Sequence, residues 1–154
     1  MSQGEWGLFS DGQKMLEAAI ELAVKSHKGQ KDKAGKPYIL HLMTVCLAQT
    51  DLKTMTVGIL HDLLEDTPVT PAYLRCKGYP NDVVEAVMDL TKLEGETRMD
   101  AARRAGANAL SLPVKIADVK HNLVRKRLST FTEKDMEREA EYHAVLEYLY
   151  SVQT

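Results

Sequence analysis

The 154 residues have the length of one domain, which is enough to bury an apolar core without disulfides. The apolar fraction of 44% and the charged fraction of 27% are ordinary for a globular protein. The net charge of −2 excludes binding to a nucleic-acid polymer that is driven mainly by electrostatics. We therefore expect one domain over residues 1–154, with residues 1–10 forming an N-terminal arm or an interaction segment.

The cysteines and the hydropathy pattern indicate where the protein resides. Cys46 and Cys76 are too far apart in the chain to form a Cys-x-x-Cys motif, and they predict free thiols in a reducing cytosol. The sequence has no basic leader and no long apolar run, so we expect a cytoplasmic protein that is not inserted in a membrane. The sequence leaves the oligomeric state open.

Apolar residues at helical spacing, with capping residues before them, predict an all-α fold of several packed helices. We expect Pro37 in the first turn of the second helix. Asp51, Thr97 and Thr132 are expected to cap the third helix, the sixth helix and the last. Pro113 is expected to kink a long helix, because proline lacks the amide proton that the helix needs. The predicted helices cover residues 11–28, 38–49, 51–66, 71–77, 81–93, 98–105, 108–128 and 133–152.

The stretch His61-Asp62-Leu63-Leu64-Glu65-Asp66 is the most informative part of the chain. On one continuous helix its polar residues would share a face spanning about 140°, with Gly58 beneath them and an apolar face opposite. One imidazole and three carboxylates held this close would be costly without a cation. We therefore expect a metal site here, although an acidic surface would give a similar pattern.

Two residues elsewhere are candidates for the same site. His41 lies one turn into the predicted second helix, where a lone histidine is more often structural than a ligand. Asp118 follows a nearly apolar run and shares a helical face with Lys115 and Asn122, a pattern that favours a residue lining a cleft. The other histidines are expected to be structural or surface groups, with the first capping a helix C-terminus: His27, His121 and His143.

Five blocks of sequence together resemble one family. They are His27-Lys28-Gly29-Gln30, Gly35-Lys36-Pro37-Tyr38-Ile39-Leu40-His41, His61-Asp62-Leu63-Leu64-Glu65-Asp66-Thr67, Leu90-Thr91-Lys92-Leu93 and Lys115-Ile116-Ala117-Asp118-Val119-Lys120-His121-Asn122-Leu123. The histidine, the later His-Asp pair and the distant aspartate resemble the HD superfamily of metal-dependent phosphohydrolases. Within it, the chain is similar to the hydrolase domain of Rel/SpoT-type alarmone enzymes and to the stand-alone small alarmone hydrolases. The resemblance implies a compact multi-helix HD-domain bundle.

The resemblance also implies roles for the site residues. One divalent ion, preferably Mn²⁺, would be held by the residues that match the family's ligands, namely His41, His61, Asp62 and Asp118. Ligand type alone leaves iron, zinc and nickel open. Glu65 and Asp66 match a pair that orients or deprotonates the attacking water. The implied reaction removes the 3′-pyrophosphate from guanosine tetra- or pentaphosphate and leaves GDP or GTP.

Substrate recognition departs from the family pattern. Asn122 matches a residue that faces the nucleotide, and four basic residues are candidate phosphate contacts from charge and placement: Lys33, Lys92, Lys115 and Arg125. Asp32 stands where the family has an arginine that stacks on the base, and a carboxylate cannot replace that cation. Two alternatives therefore stay open. One is the same chemistry on adenosine alarmones or another phosphorylated nucleotide, and the other is a nucleotide sensor without activity.

Overall fold

The computed structural model describes residues 4–125 and 132–153, without the side chain of Arg125. Its helices are α1 (Gly12–Ser26), α2 (Ile39–Leu47), α3 (Leu52–Leu60), α4 (Leu63–Asp66), α5 (Pro71–Cys76), α6 (Asn81–Asp89), α7 (Arg98–Gly106), α8 (Ser111–Arg125) and α9 (Glu133–Val152). Within these residues, β-type pairing is limited to two isolated bridges, Gly4 with Gly7 and Lys31 with Pro37. The prediction of an all-α bundle is confirmed.

Side-chain caps begin several helices at the predicted residues. The Asp51 carboxylate accepts a hydrogen bond from the amide of Thr54 at 2.8 Å and begins α3. Thr97 and Thr132 each form a capping box with the acid three residues later, at the starts of α7 and α9. These starts are predictable because a capping bond joins residues that are close in sequence.

The central helix is broken at the residues of interest, so the prediction of one helix over residues 51–66 is wrong. α3 ends at Leu60 and α4 begins at Leu63, with Asp62 between them at φ −101° and ψ 3°. The ring of His61 turns back, and its Nδ1 lies 2.7 Å from the Gly58 carbonyl oxygen. In an unbroken helix that oxygen would accept from the backbone of Asp62. The side chain of His61 therefore competes with the helix for an acceptor.

Two prolines differ from their predicted positions. Pro37 lies before α2 rather than in its first turn, because Tyr38 is the N-cap. Pro113 is the third residue of α8, which runs unbroken from Ser111 to Arg125. Amides in the first turn have no acceptor within the helix, so the missing N–H of Pro113 costs nothing and requires no kink. The rest of that predicted helix, residues 126–128, lies outside the described residues.

Two apolar clusters hold the bundle together, and α8 contributes to both. The larger cluster is built mainly from α1, α2, α3 and α6, and Val114 joins it from α8. The smaller cluster joins α7, α8 and α9 through the side chains of Ala102, Ile116, Val119, Val145 and Leu149. Because Val114 and Ile116 are near neighbours on one helix, α8 fixes the position of one cluster against the other.

Residues 4–10 pack against the bundle. The amide of Leu8 donates to the Gly78 carbonyl at 2.8 Å, and the ring centroids of Phe9 and Tyr79 are 5.0 Å apart. Trp6 packs against the larger cluster. In the described parts of the chain, every helix is too short or too polar to cross a membrane.

Candidate metal centre

The four predicted ligand residues converge from separate parts of the fold. His41 belongs to α2, His61 and Asp62 form the break between α3 and α4, and Asp118 belongs to α8. The ligand atoms of His41, His61 and Asp62 all lie within 4.8 Å of one another. Asp118 Oδ1 lies 2.9 Å from His41 Nε2 and 3.3 Å from His61 Nε2. Both imidazoles are 2% exposed, and the side chains of Asp62 and Asp118 are 14% and 13% exposed, so the cluster is largely buried.

Gly58 allows α2 and α3 to bring the two imidazoles together. A Cβ atom at this position would lie 3.1 Å from Cys46 Cα and 3.3 Å from Cys46 N, in the backbone of α2. The Gly58 carbonyl also accepts from His61 Nδ1, which directs Nε2 of the same ring toward the cluster. Gly58 therefore sets both the helix spacing and the orientation of one imidazole.

The donor set fits a divalent ion. His61 Nε2 is buried and has no hydrogen-bond partner among the described residues. Asp62 Oδ2 and Asp118 Oδ1 lie 3.2 Å and 3.3 Å from it, but not in hydrogen-bonding geometry. A buried polar atom without a partner is uncommon, and a bond to a metal would satisfy it. Two imidazoles and two carboxylates suit Mn²⁺ and its neighbours in the first transition row.

The charges in the cluster depend on one another. Burial by itself would lower the pKa of His61, but Asp62 and Asp118 outweigh it and raise that pKa well above 6.5. Burial by itself would raise the pKa of Asp118, but His41 and His61 hold it well below its usual range. The two carboxylates therefore favour a positive charge between the imidazoles. A proton and a metal ion would compete for that position.

Tyr38 contacts this cluster, although the sequence reasoning assigned it no role. Its hydroxyl donates to Asp62 Oδ2 at 2.5 Å. Burial and the charge of Asp62 raise the pKa of Tyr38 far above 10, which keeps the hydroxyl protonated. The bond fixes one oxygen of the carboxylate in place. Its position in the Pro-Tyr-Ile-x-His block was the available sequence signal.

Glu65 and Asp66 lie on α4, directly after the break. Glu65 Oε1 accepts from the amide of Lys92 at 2.9 Å. The Asp66 carbonyl accepts from Gln30 Nε2 at 3.0 Å, which ties α4 to the loop after α1. Burial, followed by the charges of Asp62 and Glu65, raises the pKa of Asp66 to about 6. A carboxyl group with that pKa can exchange a proton near neutral pH.

A cleft of about 340 Å³ opens beside the cluster. Three of the predicted substrate contacts line it: Lys92, Lys115 and Asn122. Asn122 Nδ2 donates to Asp118 Oδ1 at 3.2 Å, and Lys115 Nζ lies 3.7 Å from Asp118 Oδ2. The predicted contact Arg125 has its side chain outside the described residues. The remaining lining residues are Tyr38, Asp62, Glu65, Leu90, Arg98, Ala101, Asp118, Val119, Tyr142 and Val145.

Arg98 and Tyr142 also line the cleft, and the sequence reasoning missed both. The Arg98 guanidinium lies 5.1 Å from the centre of the Tyr142 ring, and its Nη1 lies 2.6 Å from Glu141 Oε2. Arg98 begins α7 and Tyr142 lies in α9, so the two meet only when these helices pack. No local sequence pattern reports such a pair.

The lysine-rich loop before α2 folds around Asp32. Oδ1 of Asp32 accepts from the amides of Ala34 and Lys36, both at 2.9 Å. Its carboxylate therefore closes its own turn. The predicted contact Lys33 is not among the described residues that line the cleft.

The three remaining histidines occupy different environments. His27 is the buried C-cap of α1, and its Nδ1 lies 2.8 Å from Gln30 Oε1. His143 has a side chain that is 63% exposed on α9. We expected His121 to lie away from the site, and this prediction is wrong. Its Nδ1 lies 2.7 Å from Nδ1 of His41. The signal for His121 was its place in the block that contains Asp118.

A family model matches the part of the chain that carries this cluster, and curated relatives match most of the chain. The HD domain model matches residues 19–137. A GTP pyrophosphokinase of Streptomyces coelicolor is 36% identical over an alignment of 124 residues, and the match covers 71% of this chain and 14% of that protein. A guanosine-3′,5′-bis(diphosphate) 3′-pyrophosphohydrolase of Spiroplasma citri is 33% identical over an alignment of 125 residues, and the match covers 71% of this chain and 17% of that protein. The chain therefore spans less than a fifth of the length of these relatives.

A solved structure has the same fold. It is described as a metazoan ortholog of SpoT that hydrolyzes ppGpp, and it superposes with a TM-score of 0.71 at 20% sequence identity. The superposition covers 88% of this chain and 84% of the other. The family match includes His41, His61, Asp62 and Asp118, the four residues of the buried cluster. The chain therefore belongs to the HD domain family and is related to the ppGpp hydrolase domains of SpoT and Rel proteins.

Proposed function

We propose that the protein is a metal-dependent hydrolase that removes the 3′-pyrophosphate from alarmone nucleotides, converting (p)ppGpp to GDP or GTP and pyrophosphate. The observation that carries this proposal is a buried cluster of two imidazoles and two carboxylates beside a cleft lined by Glu65, Lys92 and Lys115. Such a site combines metal ligands, a candidate base and cations for phosphate. The activities named for the related proteins support the same substrate class.

His41, His61, Asp62 and Asp118 would hold the ion, with Mn²⁺ expected. A divalent ion, when bound, lowers the pKa of water and stabilises negative charge on phosphoryl oxygens. The protein prepares these ligands with hydrogen bonds, since the Tyr38 hydroxyl holds Asp62 and the Gly58 carbonyl holds His61. Hydrogen bonds of this kind hold the side chains of metal ligands in a fixed orientation.

Glu65 and Asp66 would orient the attacking water and take its proton. The amide of Lys92 fixes Glu65 at the cleft, and the raised pKa of Asp66 allows it to accept and release a proton near neutral pH. Water attacks the phosphorus bonded to the ribose 3′-oxygen, and the P–O3′ bond breaks. The 3′-oxygen leaves with a proton as a hydroxyl, and pyrophosphate is released.

Charge and placement suggest how the substrate lies. Lys92 and Lys115 line the cleft where the pyrophosphate would enter, and Asn122, whose Nδ2 donates to Asp118, would face a ribose hydroxyl. Lys33 and Arg125 stay predicted phosphate contacts.

Asp32 keeps adenosine alarmones as a second candidate substrate. Its carboxylate accepts hydrogen bonds from the amides of Ala34 and Lys36. No arginine stands at this position to stack on a guanine base. A stacking contact of that kind is worth about 1–2 kcal/mol in a desolvated site. We therefore expect a preference for guanine over adenine that is weak or reversed.

A nucleotide panel tests the reaction directly. Protein stripped of metal and reloaded with Mn²⁺ is expected to release pyrophosphate from guanosine and adenosine 3′-pyrophosphates, and chelation should abolish the release. Release of phosphate alone would indicate a different phosphohydrolase. No hydrolysis of either nucleotide with Mn²⁺, Fe²⁺, Zn²⁺ or Ni²⁺ would contradict the proposal and leave the sensor alternative.

Two variants separate metal binding from catalysis. Asp62→Ala is expected to lose metal and activity together, because it removes a ligand. Glu65→Gln is expected to retain metal, measured by elemental analysis, and to lower kcat by about 10²–10⁴-fold, the usual contribution of a base. Glu17→Gln, on the exposed side of α1, is the control and should retain both. Loss of metal in Glu65→Gln would contradict its assignment.

A further inference from the structure

His41 and His121 form a direct hydrogen bond between their rings. Their Nδ1 atoms are 2.7 Å apart, their centroids are 5.0 Å apart and their planes differ by 14°. The centroid separation is close to the N–N distance plus the two ring radii, so the rings meet edge to edge in nearly one plane. When both rings are neutral, one Nδ1 must carry the proton and the other must accept it.

The direction of this bond decides which atom His41 offers to a metal ion. A neutral imidazole has one protonated nitrogen and one lone pair. If His41 carries its proton on Nδ1 and donates it to His121, the lone pair of Nε2 is free to bind the ion. If His121 donates instead, Nε2 of His41 carries a proton and cannot be a ligand.

The two candidate ligand histidines, His41 and His61, have hydrogen-bond partners of different kinds. Nδ1 of His61 faces the Gly58 carbonyl at 2.7 Å, and a carbonyl can only accept, so it fixes the tautomer of His61. His121 can accept or donate. Nε2 of His41 lies 2.9 Å from Asp118 Oδ1, which fits a proton on Nε2 and a bond donated by His121 when no ion is bound.

We infer that His121 is a positioning residue for the metal centre, which accepts the Nδ1 proton of His41 and so presents the Nε2 lone pair of His41 to the ion. The inference rests on the metal centre of the proposed function. In this arrangement His41 would keep its proton on Nδ1, shared with His121 Nδ1 at 2.7 Å, and Nε2 would be the atom that His41 offers to an ion.

The test compares two substitutions that differ in the ability to accept this bond. His121→Phe keeps a flat ring but has no acceptor, whereas His121→Asn places an amide group near the position of Nδ1. Mn²⁺ affinity is measured on chelator-stripped protein by competition with a metal indicator, without any nucleotide. We expect Mn²⁺ binding to weaken about 10- to 100-fold in His121→Phe, the usual effect of losing such a partner, and to be largely restored in His121→Asn.

His143→Phe is the matched control, because it removes an exposed histidine from α9. Its Mn²⁺ affinity should equal that of the wild type. A Mn²⁺ affinity of His121→Phe equal to that of the wild type would overturn the inference. If both variants have the melting temperature of the wild type, an equal loss of Mn²⁺ affinity in His121→Phe and His121→Asn would also overturn it.

The tautomer is measured separately in the unsubstituted protein, so the inference stays testable if His121→Phe does not fold. In ¹⁵N-histidine-labelled protein loaded with Zn²⁺ as a diamagnetic probe, His41 should carry its proton on Nδ1. A proton on Nε2 would overturn the inference. Failure of the protein to hydrolyse any alarmone, with Mn²⁺ binding and the His121 effect intact, would refute the proposed function alone.

Discussion

Asp66 carries an unfavourable charge in the folded protein at neutral pH. Burial and the neighbouring charges of Asp62 and Glu65 raise its pKa from 3.8 to about 6. The folded state therefore opposes the ionisation that the unfolded chain permits. A carboxyl group kept in this state has a cost in stability, and a role in moving protons is a physical reason to retain it.

Removing this charge should stabilise the metal-free protein. Below pH 3.8 the Asp66 carboxyl is protonated in both states, so it has no cost; the cost grows as the pH rises to about 6 and is constant above that value. Asp66→Asn should therefore be more stable than the wild type by about 1 kcal/mol at pH 7.5, a figure discounted for exposure of the side chain. Urea denaturation in chelator at pH 4 and pH 7.5 measures the difference.

The control for this substitution is Glu17→Gln, which also removes one carboxylate, from an exposed position on α1. It should leave the free energy of unfolding nearly unchanged at both pH values. An advantage of Asp66→Asn that is already complete at pH 4 would contradict the electrostatic explanation. The same variant should lose most of its turnover if Asp66 takes the proton of water.

At the scale of elements, the contact between α2 and α3 determines the spacing of the two imidazoles. Gly58 faces the backbone of α2 at Cys46 and Val45, so the helices meet without an intervening side chain. A second element, α7, fixes the segment of the cleft around Lys92. Arg104 of α7 donates to the Thr91 carbonyl at 2.5 Å and to both carboxylate oxygens of Glu96, which holds the segment that carries Lys92.

Gly58→Ala tests the importance of the close approach. Alanine is the better helix former by about 1 kcal/mol, but its Cβ would press on backbone atoms that cannot easily move. We expect a net destabilisation of about 1–2 kcal/mol and weaker Mn²⁺ binding, because His41 and His61 move apart. Thermal or urea denaturation and metal titration measure the two effects.

Gly106→Ala is the matched control, since Gly106 is also helical. Its added Cβ would meet only side chains, at 3.4 Å from Leu149 Cδ2 and Val152 Cγ2. This variant should gain up to about 1 kcal/mol and bind Mn²⁺ as the wild type does. Similar stabilisation of both variants would show that α2 yields to a methyl group at Gly58.

The elements that the sequence predicted well are those with local causes. The bonds at Asp51, Thr97 and Thr132 span three residues, so pattern reasoning finds them. The break at His61 was missed because the His61 side chain bonds the Gly58 carbonyl oxygen. A prediction from helical periodicity assumes that this oxygen is paired with a backbone amide. The bond between His41 and His121 joins residues 80 positions apart, and only the packing of α2 on α8 creates it.

Across the whole molecule, the four candidate metal ligands come from elements that contribute to both apolar clusters. Two ligands come from the α3–α4 break and one from α2, which belong to the larger cluster, while Asp118 comes from α8, which belongs to both. The cleft also has a wall from α7 and α9, through Arg98 and Tyr142. An ion held by the four ligands would therefore connect the larger cluster to the helix that carries the smaller one.

Metal binding should consequently stabilise the entire fold and should depend on pH. At a concentration 100 times its dissociation constant, a bound ion adds about 2.7 kcal/mol, which corresponds to a rise of about 5–10 °C in Tm for a domain of this size. Asp62 and Asp118 raise the pKa of His61 well above 6.5, so a proton occupies its Nε2 at lower pH and must leave before the ion binds. The difference in Tm between Mn²⁺-loaded and chelated protein should therefore increase as the pH rises through that raised pKa. Differential scanning fluorimetry from pH 6 to pH 9 measures this difference in Tm. Asp62→Ala is the control and should show no difference between Mn²⁺-loaded and chelated protein. A Tm difference that shrinks with rising pH would contradict competition between proton and metal.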